Sequence, residues 1–343
     1  MPTAWPAPRH LAVGRGHRMA WREAGRPDGE PWLLLHGGPG SGSQPGQLAP
    51  LDLRRQRAIA PDQRGSGASR PRGGLQGNHT PALVADLEAL RVHLGLERWA
   101  VLAGSWGTVL ALAYAQQHPQ RVQRLVLRGA FALSRREIGG LLLPTRQTLQ
   151  RLGVDPGWPA QQGKPLPVAL RRLIQLLQSG TPGVAALRVA RRWALLESDL
   201  AERGLRRGAR HAALQGRPGL AVATRREWAA LRRRFRRAQA LARQPRRSRV
   251  DRQAHAKYRV QAHYLRHRGF LRPGDLDRAV QALARQGTPV DWVHGRFDAV
   301  CPPANSRRWA ALGGRLSLPL SGHLGHEPDL LAALRERVLG APA

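Results

Sequence analysis

The run Val101-Leu102-Ala103-Gly104-Ser105-Trp106-Gly107-Thr108-Val109-Leu110 constrains this chain more than any other. An apolar, strand-like stretch ends in small residues around one serine, and an alanine-rich helical stretch follows. That is the pattern of a sharp strand–turn–helix junction with the serine at its apex. Small neighbours are required because the turn is strained and backbones pass close together there. The junction makes the Ser105 hydroxyl a candidate nucleophile. The plainer reading is an ordinary turn serine.

The surroundings of the junction predict an α/β architecture. Pro31-Trp32-Leu33-Leu34-Leu35-His36 reads as a buried strand before a glycine-proline turn. Residues 56–61 read as a second short strand, ending at Asp62-Gln63-Arg64-Gly65-Ser66-Gly67. Leu83, Val84, Leu87, Leu90, Val92 and Leu94 recur at helical spacing over 81–94, with Thr80 or Asn78 as the expected cap. Residues 98–103 form the strand into the serine turn, and 106–117 the helix leaving it, stopped at His118-Pro119. Further strands are expected at 124–127, 289–294 and 316–318. Strands alternating with helices predict a mostly parallel sheet with helices on both faces.

Between about Ser134 and Gly274 the texture changes to arginine-rich amphipathic helices broken by Gly-Pro turns. The expected organisation is a core domain of residues 1–133 and 275–343, with 134–274 as a helical cap or lid. A separate helical domain is the alternative. The segment after it must still complete the sheet.

The chain of 343 residues carries a net charge of +34. Only Lys164 and Lys257 are lysines, so almost all of the positive charge is arginine. A nucleic-acid surface would use both residue types. Coding from GC-rich codons explains the bias better, and net charge speaks to non-specific adhesion rather than to fold. The Arg225–Arg252 run is basic almost all round as a helix, so a solvated face is expected there. No specific nucleic-acid partner is expected. No apolar run is long enough to span a bilayer. The scattered charges and prolines of residues 1–29 argue against a secretory leader. The single cysteine, Cys301, excludes an internal disulfide and fits a reducing compartment, so a cytoplasmic location is expected.

A serine hydroxyl needs a base to take its proton and an acid to orient that base. Asp298, in His294-Gly295-Arg296-Phe297-Asp298, directly follows an expected strand. His323, in Ser321-Gly322-His323, lies on a turn after the last one. Both sit at strand ends, where such sheets place their chemistry. The alternatives are a helix-capping role for Asp298 and His326 in place of His323. An oxyanion needs two N–H donors. One is expected from Trp106 and the other from the His36-Gly37-Gly38-Pro39-Gly40 loop, at Gly38 first and Gly37 second. No metal and no cofactor are expected, because the histidines lack partners at ligand spacing.

Together these motifs resemble the prolyl iminopeptidases, aminopeptidases of the α/β-hydrolase fold. The resemblance rests on His36–Gly40, Asp62–Gly67, Gly104–Gly107, Leu125–Gly129 with Phe131, His294–Asp298 with Cys301-Pro302, and Gly322-His323 with Glu327-Pro328. It implies the triad Ser105, Asp298 and His323, the α/β-hydrolase fold with a helical lid, and a peptide or small acyl or amide substrate. It implies a substrate pocket that includes Arg128, Phe131 and Cys301. In the family, lid carboxylates bind the substrate's free α-amino group. Glu197, after Trp193, resembles one of them, and Gln261 stands where the second is expected. The family's aromatic run after Arg136-Glu137 is replaced by Gly139-Gly140-Leu141-Leu142. An esterase or amidase with no need for a free amine is the alternative activity.

Overall fold

The computed structural model describes residues 5–154, 158–159, 163–178, 182–243 and 247–340. Among them one sheet is formed by β1 (Arg9–Ala12), β2 (Arg18–Gly25), β3 (Glu30–Leu35), β4 (Gln56–Pro61), β5 (Trp99–Gly104), β6 (Val122–Arg128), β7 (Val290–Val293) and β8 (Arg315–Ser317). Their order is β1-β2-β4-β3-β5-β6-β7-β8. The strands from β4 to β8 pair in parallel, and β1 and β2 join antiparallel at one edge. The central strands read as unbroken apolar runs because both faces are covered: Trp32–Leu35 and Trp99–Ala103 are buried throughout.

The helices are α1 (Thr80–His93), α2 (Trp106–Gln117), α3 (Arg135–Leu142), α4 (Arg146–Leu152), α5 (Leu166–Leu177), α6 (Val184–Leu214), α7 (Pro218–Arg243), α8 (Arg249–Arg266), α9 (Asp275–Arg285), α10 (Ala304–Ala310) and α11 (Pro328–Leu339). Between β6 and β7 every described element is helical. α7 carries the arginine run with most of its residues exposed or half-exposed, as a basic helix must. The part of that run at 244–246 lies outside the described residues.

One local expectation needs correction, and one pair of strands had no counterpart in the sequence reading. The antiparallel pair β1 and β2 was not legible, because β1 is an exposed edge of four residues, Arg9-His10-Leu11-Ala12. β2 buries only Met19, Ala20 and Trp21 among polar neighbours. The cap of α1 is His79 rather than Thr80 or Asn78; its ring accepts the Ala82 N–H. Asn78 instead donates to the carbonyls of Arg64 and Gly74, holding a neighbouring turn.

Candidate active site

Ser105 follows β5 directly and caps α2 with φ 56° and ψ −126°. A left-handed φ at a non-glycine residue stores strain and persists only where the surroundings fix it. Here the Ser105 N–H donates to the Arg128 carbonyl (2.9 Å), and the Ser105 carbonyl accepts from Thr108 N–H (2.9 Å) and Oγ1 (2.7 Å). The glycine after the serine is needed: a methyl at Gly107 would meet the Leu35 carbonyl at 2.5 Å, a backbone atom, whereas one at Gly104 would meet the Arg128 guanidinium, the end of a side chain.

Asp298 lies on the turn after β7, and His323 on the turn after β8. His323 Nδ1 stands 2.7 Å from Asp298 Oδ2. The other carboxylate oxygen accepts the N–H groups of Val300 (2.8 Å) and Cys301 (2.9 Å). Burial pushes the Asp298 carboxyl up. The charge of His323 and the hydrogen bonds of His294 and His323 outweigh burial and hold it well below the usual carboxylate range. Asp298 therefore stays anionic beneath His323. His326 lines the same cavity but pairs differently: its Nε2 is 3.5 Å from Glu227, and no contact ties it to Asp298 among the described residues.

The turn bearing His323 is clamped by Glu327. Its two carboxylate oxygens accept from Gly322 N–H (2.6 Å) and Leu324 N–H (2.8 Å), on either side of the histidine. Arg128 donates to the His323 carbonyl. Burial works against the Arg128 charge, and Asp298, Cys301 and Glu327 act the other way.

Ser105, His323, Gly37, Gly38, Arg128, Phe131, Glu197, Gln261 and Cys301 all line one cavity of about 610 Å³. A methyl at Gly37 would lie 3.2 Å from Ser105 Cβ and 3.7 Å from its Oγ, so this glycine lets the loop close on the serine. Trp106 is buried behind the wall, its indole N–H donating to Gln63 Oε1 (3.0 Å). Gln63 also donates its backbone N–H to His36 Nε2 (3.1 Å) and its Nε2 to the His36 carbonyl (2.9 Å). It thus ties the glycine loop to the serine turn. Leu141 lines the cavity where the expected aromatic residue is lacking. Cys301 Sγ is 3.9 Å from Ser105 Oγ, and burial first, then Asp298 and Glu137, push its thiol up, so it stays protonated.

On the lining of the same cavity, Glu197 on α6 receives three donors from α8. Lys257 Nζ lies 2.7 Å from Oε2, Tyr258 OH 2.9 Å from Oε2, and Gln261 Nε2 2.6 Å from Oε1. The sequence singled out Glu197 and Gln261 but missed Lys257, Tyr258, Gln63 and Glu327. The signal for Lys257 was available, since it is one of two lysines in an arginine-dominated chain. Among the described residues no cluster of three or more His, Cys, Asp or Glu is placed to hold a metal ion.

A model of the alpha/beta hydrolase fold matches residues 30–329. A proline iminopeptidase of Xylella fastidiosa is 33% identical over 332 residues, covering 94% of this chain and 93% of that protein. The chain belongs to the proline iminopeptidase family of α/β-hydrolases. A putative proline iminopeptidase of Mycoplasma pneumoniae is 32% identical over 349 residues, covering 95% of each. Among solved structures, an alpha/beta hydrolase enzyme from a Medee basin deep-sea metagenome library matches with a TM-score of 0.60 at 14% identity, covering 98% of each chain. At that identity the match speaks for the fold alone. The family match runs from the start of β3 to the first residues of α11, and no helix among the described residues is long and apolar enough to cross a membrane.

Proposed function

We propose that this chain is a serine hydrolase that releases an N-terminal proline, or another small N-terminal residue, from peptides. The observation that carries the reading is the sharing of one cavity by Ser105, His323 and Glu197, with Asp298 bound behind the histidine.

In this reaction Ser105 Oγ bonds to the carbonyl carbon while His323 Nε2 takes the hydroxyl proton. The oxyanion that forms is met by backbone N–H groups of Trp106 and of Gly38 or Gly37. The C–N bond then breaks, and His323 returns the proton to the leaving amine. Water repeats the sequence on the acyl-enzyme and frees Ser105. Asp298 stays ionised throughout, fixing the imidazole and balancing its charge. Phe131 and Leu141 supply apolar wall for a small ring, and Glu197 marks where the N-terminus is recognised. The helical segment 134–274 acts as the lid that carries this recognition.

A second reading is an esterase or amidase that needs no free amine. It is favoured by the donors already gathered on Glu197 and by Gln261 in place of a second carboxylate. A panel of proline p-nitroanilide, alanine p-nitroanilide and p-nitrophenyl acetate at pH 8 separates the two. The proline anilide is expected to give the higher kcat/KM of the two anilides. A strong preference for the acetate, with neither anilide turned over, would overturn the aminopeptidase reading.

A further inference from the structure

The carboxylate expected to receive a substrate ammonium already has a cation of its own. Lys257 Nζ makes a 2.7 Å ion pair with Glu197, and both side chains are about three-quarters buried. Tyr258 and Gln261 take two more of the carboxylate's roughly four lone-pair positions. Burial and then Glu197 push the Tyr258 phenol well above its ordinary range, so it remains a donor. At this subsite the charges of Glu197 and Lys257 cancel, and Gln261 adds none. A second cation would have to displace Lys257 or sit beside it, which like-charge repulsion opposes.

The same cluster offers positions suited to an uncharged nitrogen. Gln261 is 2% exposed, and its Oε1 is buried with no hydrogen-bond partner among the described residues. A buried acceptor left unpaired is costly, so it favours a ligand that brings an N–H. Lys257 has three ammonium protons. Two are directed at Glu197 Oε2 and Tyr258 OH (3.1 Å), so one remains for an acceptor. A neutral secondary amine has one N–H and one lone pair, which matches this pair of groups. An ammonium has no lone pair for Lys257. The choice of lysine here is not generic to the chain, whose other cationic side chains are arginine apart from Lys164. A compact ammonium with rotatable protons can serve a carboxylate, a phenol and a ligand at once.

We propose that Lys257 is a specificity-determining residue that makes this site select the uncharged form of the substrate's N-terminal amine. The proposal rests on the aminopeptidase reading and sharpens it. The site would take the free base of an N-terminal proline, its N–H on Gln261 Oε1 and its lone pair facing Lys257.

Other titratable groups line the same cavity. They are His36 after β3, Arg128 at the end of β6, Cys301 after β7, and His323 and His326 after β8, besides Glu197 and Tyr258. They act on any substrate of Ser105. The ratio of kcat/KM for proline p-nitroanilide to that for p-nitrophenyl acetate therefore isolates the amine.

The test is that ratio measured from pH 6 to pH 9 for the wild-type protein, Lys257→Met and Lys257→Arg, each checked for folding by its thermal melt. An N-terminal amine titrates near about 8. The wild-type ratio should fall roughly tenfold per pH unit below that value and level off above it. Lys257→Arg, which keeps the cation, should keep the slope. Lys257→Met should flatten it and raise the ratio at pH 6.5 by about tenfold or more, because Glu197 then accepts the ammonium. Proline turnover by Lys257→Met alone, with none by the wild-type protein at any pH, would overturn the proposal, because the wild-type site would then not take the free base. Equal slopes in wild type and Lys257→Met, or a flat wild-type ratio, would overturn it and leave the aminopeptidase reading standing. Acetate turnover with no proline turnover in any of the three proteins would overturn both.

Discussion

His323 Nδ1 and Asp298 Oδ2 stand 2.7 Å apart, on turns that follow the adjacent parallel strands β7 and β8. Twenty-five residues separate them in the chain, and strand pairing brings them together. The bond fixes which imidazole nitrogen is left for the serine side of the cavity. With Nδ1 turned to the carboxylate, Nε2 is the nitrogen available as base.

Asp298→Asn should therefore retain the fold while lowering kcat steeply. The amide can still accept the Val300 and Cys301 N–H groups, but it can hold the imidazole in the wrong tautomer. A loss on the order of 10⁴ in kcat is expected from such a change. Ser105→Ala should cost on the order of 10⁶. Both are read by steady-state hydrolysis of the best substrate of the panel. Wild-type turnover in either variant would remove that residue from the mechanism.

Glu327 provides a prediction about position rather than chemistry. Its hydrogen bonds go to the N–H groups on both sides of His323 rather than to the imidazole or Ser105. Glu327→Ala frees that turn, so kcat should fall by about 10- to 100-fold with KM nearly constant, since misplacement of a reacting group by about 1 Å carries that scale of loss. Glu327→Gln keeps one acceptor and should recover part of the activity. A change confined to KM would contradict the positioning role.

The same residue makes a statement about pH. Burial raises the Glu327 carboxyl to about 7, against the two N–H bonds and Arg128, which favour its charged form. In the unfolded chain it titrates near about 4.5. The folded state thus binds the proton more tightly. Its contribution to stability is full below about pH 4.5 and declines as pH rises through about 7. A shift of this size is worth on the order of 3 kcal/mol at most. Glu327→Gln cannot titrate, so its melting temperature relative to wild type should climb between pH 5 and pH 8. A constant difference across that range would show that Glu327 is charged throughout.

The fold was legible where one residue pattern had one structural solution. β3, β5 and the serine turn read directly, because doubly covered strands are apolar without alternation and the turn tolerates only small neighbours. The placement of Ser105, Asp298 and His323 at one end of the sheet was legible because each follows a strand. β1 and β2 were not, since a short exposed edge strand has almost no apolar signature. The cluster around Glu197 was half legible. Glu197 and Gln261 stood out by resemblance. Lys257 pairs with Glu197 from sixty residues away on another helix, and only the packing of α6 against α8 shows it. Gln63 sat in a quoted motif, but its role needed the placement of His36 and Trp106 around it.

The net charge of +34 predicts how the protein behaves toward nucleic acid. Arginines on α7 are largely exposed; of the two aromatics among them, Phe235 packs against the core, and Trp228 is held by Glu202 (3.0 Å) and lies 5.5 Å from Arg232. Binding to duplex DNA should be sequence-independent and should weaken by about 10³ or more between 50 mM and 200 mM salt if six or more phosphates are contacted. Fluorescence anisotropy with two unrelated duplexes measures both properties. Sequence preference that survives 200 mM salt would assign the basic face a specific role.

Gly204 ties α6, the helix that bears Glu197, to the histidine turn. A methyl there would meet Gly322 Cα at 2.7 Å and the Phe297 carbonyl at 3.0 Å, so the helix backbone rests on the turn that precedes His323. These neighbours are backbone atoms and cannot step aside as a flexible side chain can. Gly204→Ala should push α6 outward, carrying Glu197 with it, and should destabilise the fold by about 1–3 kcal/mol as overpacking does. In an exposed helix the same exchange has the opposite sign, because alanine is the better helix former by roughly 0.5–1 kcal/mol. Gly140 in α3 is such a position, exposed and with nothing within 4 Å of an added methyl. Gly140→Ala should leave stability unchanged or raise it, whereas Gly204→Ala should lower both the melting temperature and kcat/KM for the proline anilide. Equal effects of the two substitutions on melting would show that α6 does not bear on the His323 turn.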